Sequence, residues 1–153
     1  MKMLMLTLLV AVSLVSGCAS RGSLGSFAGP LPDKGAVVAI AGDAVSILAD
    51  LYPPGHTVIR LLPATTENGF ALALENGLRA KGFTLVSADS SNTLTLAYTL
   101  DMLEEKTAWY LQLRLSDGNT IARAYASDGS PEAGQSRITP DPSHSGKDAR
   151  HER

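Results

Sequence analysis

The sequence predicts an α+β fold, a small two-layer sandwich in which two helices pack on a mainly antiparallel sheet of about four to five strands. Three observations carry that expectation. The stretch 36–126 opens with two segments of 3.6-residue apolar period, each followed by a short β-branched run. From Leu94 the period drops to two and stays there for three successive runs. The 153 residues suffice for one domain with its own core.

Asp33 or Lys34 opens the first helix, in which Val37, Ala41, Ala44, Val45, Leu48 and Leu51 share a face. Pro53 and Pro54 stop it, because a proline ring clashes with the preceding turn and offers no amide proton, and Gly55 eases the turn. Residues 56–62 read as a short strand before Pro63. Thr65 or Thr66 is placed to cap a second helix, with Glu67 in its first turn favouring the helix dipole. Phe70, Ala73, Leu74, Gly77 and Leu78 form its inner face. Arg79 and Lys81 suit its last turn, and Gly82 suits the left-handed residue that ends it. A strand starts at 83–86.

The second half alternates. Leu94, Leu96, Tyr98, Leu100 and Met102 fall on one side of a strand, and Trp109, Leu111, Leu113 and Leu115 on one side of the next. Glu104-Glu105-Lys106 turns between them, and Asp117-Gly118-Asn119 tolerates the positive φ of a tight hairpin into 120–126. In that last strand Ala122, Ala124 and Ala126 face one way, and Ile121, Arg123 and Tyr125 the other. The three strands make a meander, joined by the strand after the first helix.

Both flanks look unlike the domain. Residues 18–35 are rich in Ser, Gly and Pro and read as a tether. Residues 127–153 hold only Ala133, Ile138 and Ala149 as apolar residues, with Pro131, Pro140 and Pro142 against any helix, and read as a disordered polar tail.

The first eighteen residues carry a motif. Lys2 supplies a short cationic start, 3–15 is an apolar stretch too short to span about 30 Å of hydrocarbon, and Val15-Ser16-Gly17-Cys18 is a bacterial lipobox. Small residues before the cysteine fit a narrow peptidase site, and the Cys18 thiol accepts diacylglycerol. Residues 1–17 are then a lipoprotein signal peptide and Cys18 is the lipidation site. At about 0.8 kcal/mol per buried CH₂, several acyl chains (palmitate among them) hold a protein on a membrane almost permanently. Ala19, rather than Asp, follows the cysteine. By the Gram-negative sorting rule this directs the chain to the outer membrane, its domain facing the periplasm.

Composition excludes several functions. A formal net charge of −2 with 18% charged residues does not suit a nucleic-acid partner held by counterion release. One cysteine closes no internal disulfide and builds no Cys-rich zinc site. The domain has a single histidine, His56, while His144 and His151 sit in the polar tail, so no metal site is expected. No Gly-x-Ser-x-Gly elbow and no phosphate loop occur. Glu104 and Glu105 are adjacent, so on a strand they point to opposite faces and make no acid/base pair. We expect no enzyme, no catalytic residue, no cofactor and no small-molecule substrate. What remains is surface for protein partners. Tyr110 and Tyr125 are the candidate exposed aromatics, and Arg114 and Arg123, with Arg60, the candidate contacts to partner carboxylates. Trp109 is in phase with the leucines and belongs to the core.

The lipobox, the segment Ile-Ala-Gly-Asp-Ala-Val-Ser-Ile-Leu-Ala-Asp-Leu-Tyr-Pro-Pro-Gly (40–55), the segment Phe-Ala-Leu-Ala-Leu-Glu-Asn-Gly-Leu-Arg-Ala-Lys-Gly-Phe (70–83) and the closing pattern over 109–125 together resemble the TrbH family. The resemblance spans roughly 15–126. It implies a lipoprotein of a conjugative transfer operon, a structural subunit or assembly factor of a type IV secretion apparatus for mating-pair formation. Its implied partners are other subunits of that channel, and it brings no catalytic residues. Two other roles fit the same residues: a stand-alone periplasmic lipoprotein that binds a small ligand or cell-wall glycan, and a surface factor that excludes or regulates plasmids.

Overall fold

The computed structural model describes residues 25–103 and 108–133 and the backbone of 137–140. The signal segment, Cys18, the Glu104-Glu105-Lys106 turn, His144 and His151 lie outside the described residues. The elements run β1 (Phe27–Ala28), α1 (Lys34–Leu51), a 3₁₀ turn (Pro54–His56), β2 (Val58–Leu61), α2 (Gly69–Lys81), β3 (Thr84–Leu85), β4 (Thr93–Leu103), β5 (Ala108–Leu115), β6 (Asn119–Ala126) and β7 (Arg137–Pro140). Helices on one face of an open sheet make the α+β sandwich the periodicity predicts.

Each helix end has a chemical cause. The Asp33 carboxylate accepts from the amides of Gly35 and Ala36, which α1 leaves unpaired. Asn68, and neither Thr65 nor Thr66, caps α2 by accepting from Ala71 N. The side-chain amide of Asn68 also donates to the Tyr98 hydroxyl at 2.9 Å and to Thr66 O at 3.1 Å. A threonine at the cap has one hydroxyl proton where the Asn68 amide has two, so only the asparagine caps the helix and also serves both the Tyr98 hydroxyl and Thr66 O. Gly82, at φ 100°, ends α2 as its sequence position implies.

The sheet is mixed and has seven strands in the order β3-β2-β4-β5-β6-β7, with β1 also on β4. From β4 to β7 the pairs are antiparallel. The pairs β1·β4, β2·β3 and β2·β4 are parallel. β2 and β1 lie end to end along one side of β4, β2 on Thr93 to Leu96 and β1 on Thr99 and Leu100. Buried Ser26 closes the joint between them: its hydroxyl donates to Leu62 O at 2.6 Å and accepts from Tyr98 N at 3.1 Å.

The additional strands correct both flanks. Part of the stretch read as a tether is β1 and the start of α1. Within the stretch read as disordered, Pro131 bridges Tyr125 and Arg137–Pro140 pairs with β6. An edge strand needs only main-chain partners, so polar residues without an apolar rhythm fill it. The connection between β6 and β7 turns at Gly129 (φ 84°), whose backbone lies so close to α1 that a methyl group there would fall 2.6 Å from Ala36 O.

The core lies between the helices and one sheet face. Ile40, Leu48, Phe70, Leu74, Leu78, Leu96, Tyr98 and Leu100 are fully buried, and Trp109 is buried with them. Phe70 meets Tyr98 edge to face at 5.1 Å between ring centres. The helices approach where Gly77 faces Val45. Leu51, expected on the inner face, is exposed at the last turn of α1 and outside the core cluster.

Tyr52 explains the Leu-Tyr-Pro-Pro segment. Its hydroxyl donates to Asp117 Oδ2 at 2.7 Å and accepts from Asn119 Nδ2 at 2.9 Å, tying the end of α1 to the β5–β6 hairpin. Burial and the Asp117 carboxylate push that hydroxyl up to about 12. Both partners stay close to water, so Tyr52→Phe is expected to lower stability by only about 1 kcal/mol. A calorimetric midpoint lowered by about 4–8 °C would match that cost; an unchanged midpoint would show the tie contributes nothing.

Candidate functional site

The four residues proposed for partner contact divide between the two faces of the sheet. On β5, Trp109, Leu111, Leu113 and Leu115 are buried under the helices, so Tyr110, Gln112 and Arg114 face the side that no described helix covers. Tyr110 is half-buried there, and Arg114 Nη2 donates to Gly25 O at 2.8 Å, holding the incoming chain against the sheet. Arg60 of β2 pairs with Asp89 at 3.5 Å.

Arg123 and Tyr125 lie on the opposite face, which corrects their assignment as exposed contacts. Ile121, in phase with both, is buried, and Tyr125 is completely so. Asp43 on α1 draws them inward. Tyr125 donates its hydroxyl to Asp43 Oδ2 at 2.8 Å, and Arg123 Nη1 lies 3.1 Å from the same oxygen. Burial, then the bond to Asp43, pushes the Tyr125 hydroxyl far above the usual tyrosine range. The signal was present in β6: a face of alanines only is the poorer core face, and Asp43 is the one charge in the middle of α1.

A different region offers a receptive concavity. β2, α2 and β3 form a parallel βαβ unit, and where β2 and β3 part at their carboxyl ends a cleft of about 470 Å³ opens beside α2. Leu61, Ala71 and Leu85 supply apolar lining, and Glu67, Glu75 and Arg79 polar groups. Ala71, Glu75 and Arg79 come from successive turns of α2, and Glu75 and Arg79 form an ion pair. A second hollow of about 390 Å³ shares Glu67, Ala71 and Glu75 and continues to Leu72, a leucine 60% exposed. Sequence reasoning missed this site, since it exists only once β3 pairs parallel to β2.

The polar groups on the cleft lining are hydroxyls, carboxylates and one guanidinium. Thr66 and Ser87 are its hydroxyls, with no histidine or cysteine among its lining residues. His56 is exposed in the 3₁₀ turn. Among the described residues no group of three or more His, Cys, Asp or Glu is placed to hold a metal ion, and no helix is long and apolar enough to cross a membrane.

A family model described as conjugal transfer protein TrbH matches residues 21–141. It ends one residue beyond β7, so it covers every strand and helix described here. No curated protein matches, and no solved structure does.

Proposed function

Since the chain belongs to the TrbH family of conjugal transfer proteins, we propose that it is an outer-membrane lipoprotein acting as a structural subunit or assembly factor of a conjugative type IV secretion apparatus. The family match over the whole described domain carries the conjugative role. The lipobox ending at Cys18, just ahead of residue 21 where that match starts, supports the anchor. The domain meets its neighbours as a protein surface, on the open face around Tyr110 and Arg114 and in the cleft beside α2, and performs no chemistry of its own. An acyl chain at Cys18 would keep those surfaces at the membrane and raise their effective concentration toward other subunits.

Mating frequency tests this. Donors lacking the gene, or carrying Cys18→Ala, are expected to transfer about tenfold or more below donors with the natural copy, because the anchor supplies the local concentration. Undiminished transfer from the deletion would overturn the conjugative role and favour a stand-alone lipoprotein that binds a ligand or glycan. Undiminished transfer from Cys18→Ala alone would overturn the anchor.

A further inference from the structure

Among the described residues, β3 leaves the carboxyl end of β2 without a strand on one side, inside the cleft. Thr84 N–H bonds Thr57 O at 3.3 Å and Val86 N–H bonds Ile59 O at 3.0 Å, which is where β3 stops following β2. On its other side β2 gives Leu62 N–H to Leu96 O at 2.9 Å. Alternation along the strand therefore turns the Leu61 N–H and C=O toward the side that β3 has left. Among the described residues no main-chain group beyond the strands bonds to either.

Three further features surround that edge. Leu61 and Leu85 give the cleft apolar lining. Ala71, the small side chain that α2 sets on the cleft lining, leaves room between helix and strand. Glu67 stands exposed on the lining of both hollows, and among the described residues it joins no ion pair, whereas Glu75 is matched by Arg79. An open strand edge beside a helix, with an apolar slot and an unmatched carboxylate, is the arrangement by which an extended peptide is held as an added strand.

We propose that this cleft receives an extended segment of another transfer protein. The segment adds as a strand against Leu61, seats an apolar side chain between Leu85 and Ala71, and sets a lysine or arginine beside Glu67. This deepens the subunit reading above, on which the identity of the partner rests. The chain's own residues 141–153 include Lys147, Arg150 and Arg153 but offer Ala149 as their one apolar side chain, a poor occupant for the slot.

The probe is a blocked octapeptide, acetyl-Thr-Val-Thr-Lys-Thr-Val-Thr-Lys-amide, whose valines and lysines share one face of a strand, titrated into the isotope-labelled, unacylated full chain. Saturable shifts centred on the amides of Leu61, Ala71 and Leu85 are expected. Glu67→Lys, an exposed change that leaves packing intact, should weaken that peptide about tenfold, and replacing both peptide lysines by glutamate should recover binding to the variant. A second variant, Ala71→Trp, should fill the slot and abolish the shifts. No saturable response, shifts away from Leu61 and Leu85, or indifference to Glu67→Lys would overturn the proposal. So would amide protection at Leu61 in the free chain that vanishes when 141–153 are removed, for then the tail is the occupant. A failed titration beside a mating defect in the deletion rejects the cleft and leaves the subunit reading standing. Peptide binding without any mating defect keeps the cleft and rejects the conjugative partner.

Discussion

Asp43→Ala is expected to cost about 2–3 kcal/mol, because it strips the carboxylate from two groups that cannot reach water fully. The Arg123 and Asp43 side chains are 23% and 24% exposed, and Tyr125 is wholly buried. Without Asp43, the guanidinium stays between α1 and the sheet uncompensated and the Tyr125 hydroxyl loses its acceptor. Chemical denaturation should show the midpoint falling with the slope unchanged. Adding Arg123→Leu to Asp43→Ala should recover part of the loss, since an absent pair costs less than a broken one. If the double variant is as unstable as the sum of the singles, the two side chains are not coupled.

Two tyrosine hydroxyls, one in this cluster and one at the end of α1, predict base lability. The unfolded chain ionises a tyrosine at about pH 10, whereas folding raises the hydroxyls of Tyr125 and Tyr52 above that value. The folded state therefore holds protons that the unfolded state has released. Its stability is complete below about pH 10 and declines as pH rises toward the folded values. Tyr125→Phe should shallow that decline, and Tyr52→Phe should shallow the part of it that ends at about 12. A denaturation profile equally steep in the natural chain and in both variants would refute it.

Gly129→Ala should cost more, about 3 kcal/mol or above. Two penalties combine: an alanine resists φ 84°, and its methyl group would meet Ala36 O at 2.6 Å and Ala36 Cα at 2.7 Å. Both contacts are main chain, so no rotamer relieves them. The turn must move, and it carries Pro131 and β7 with it. Hydrogen exchange in Gly129→Ala should accelerate first along the β6 edge. Gly42→Ala is the matched control, because nothing lies within 4 Å of the added methyl group on that exposed helical position. It should raise stability by about 0.5–1 kcal/mol through helix propensity alone. Equal effects at the two glycines would remove the steric account.

The parts of the fold legible in the sequence are those where a period persists. α1, α2 and β4 to β6 each run for eight residues or more, long enough for an apolar face to declare itself. β1 has two residues and β7 four, and a main-chain ladder leaves no side-chain signature at that length, whereas β3, equally short, falls within the strand expected at 83–86 because Gly82 marks where α2 must end. The cap of α2 was hidden for another reason. Asn68 is favoured over the nearby threonines by Tyr98, 30 residues away in the chain. Of the contact residues, Arg114 and Tyr110 follow from the leucine phase of β5. Arg123 and Tyr125 required knowing that Asp43 stands opposite. The cleft was least legible, since parallel pairing of β2 and β3 is a tertiary fact and Leu61 reads locally as one more strand leucine.

The Ser26 joint has a mechanical consequence. The chain passes from Gly25, gripped by Arg114, through Ser26 into β1 and then directly into α1. A tug on the amino-terminal side is borne first by these few main-chain and hydroxyl bonds along β4, before any of it reaches the packed helices. Parallel pairing aligns that load with the strand, so the bonds share it in shear instead of parting one after another. β1 thus takes up strain between the amino-terminal side and the core, yielding at a small, replaceable patch while the layer beneath keeps its shape.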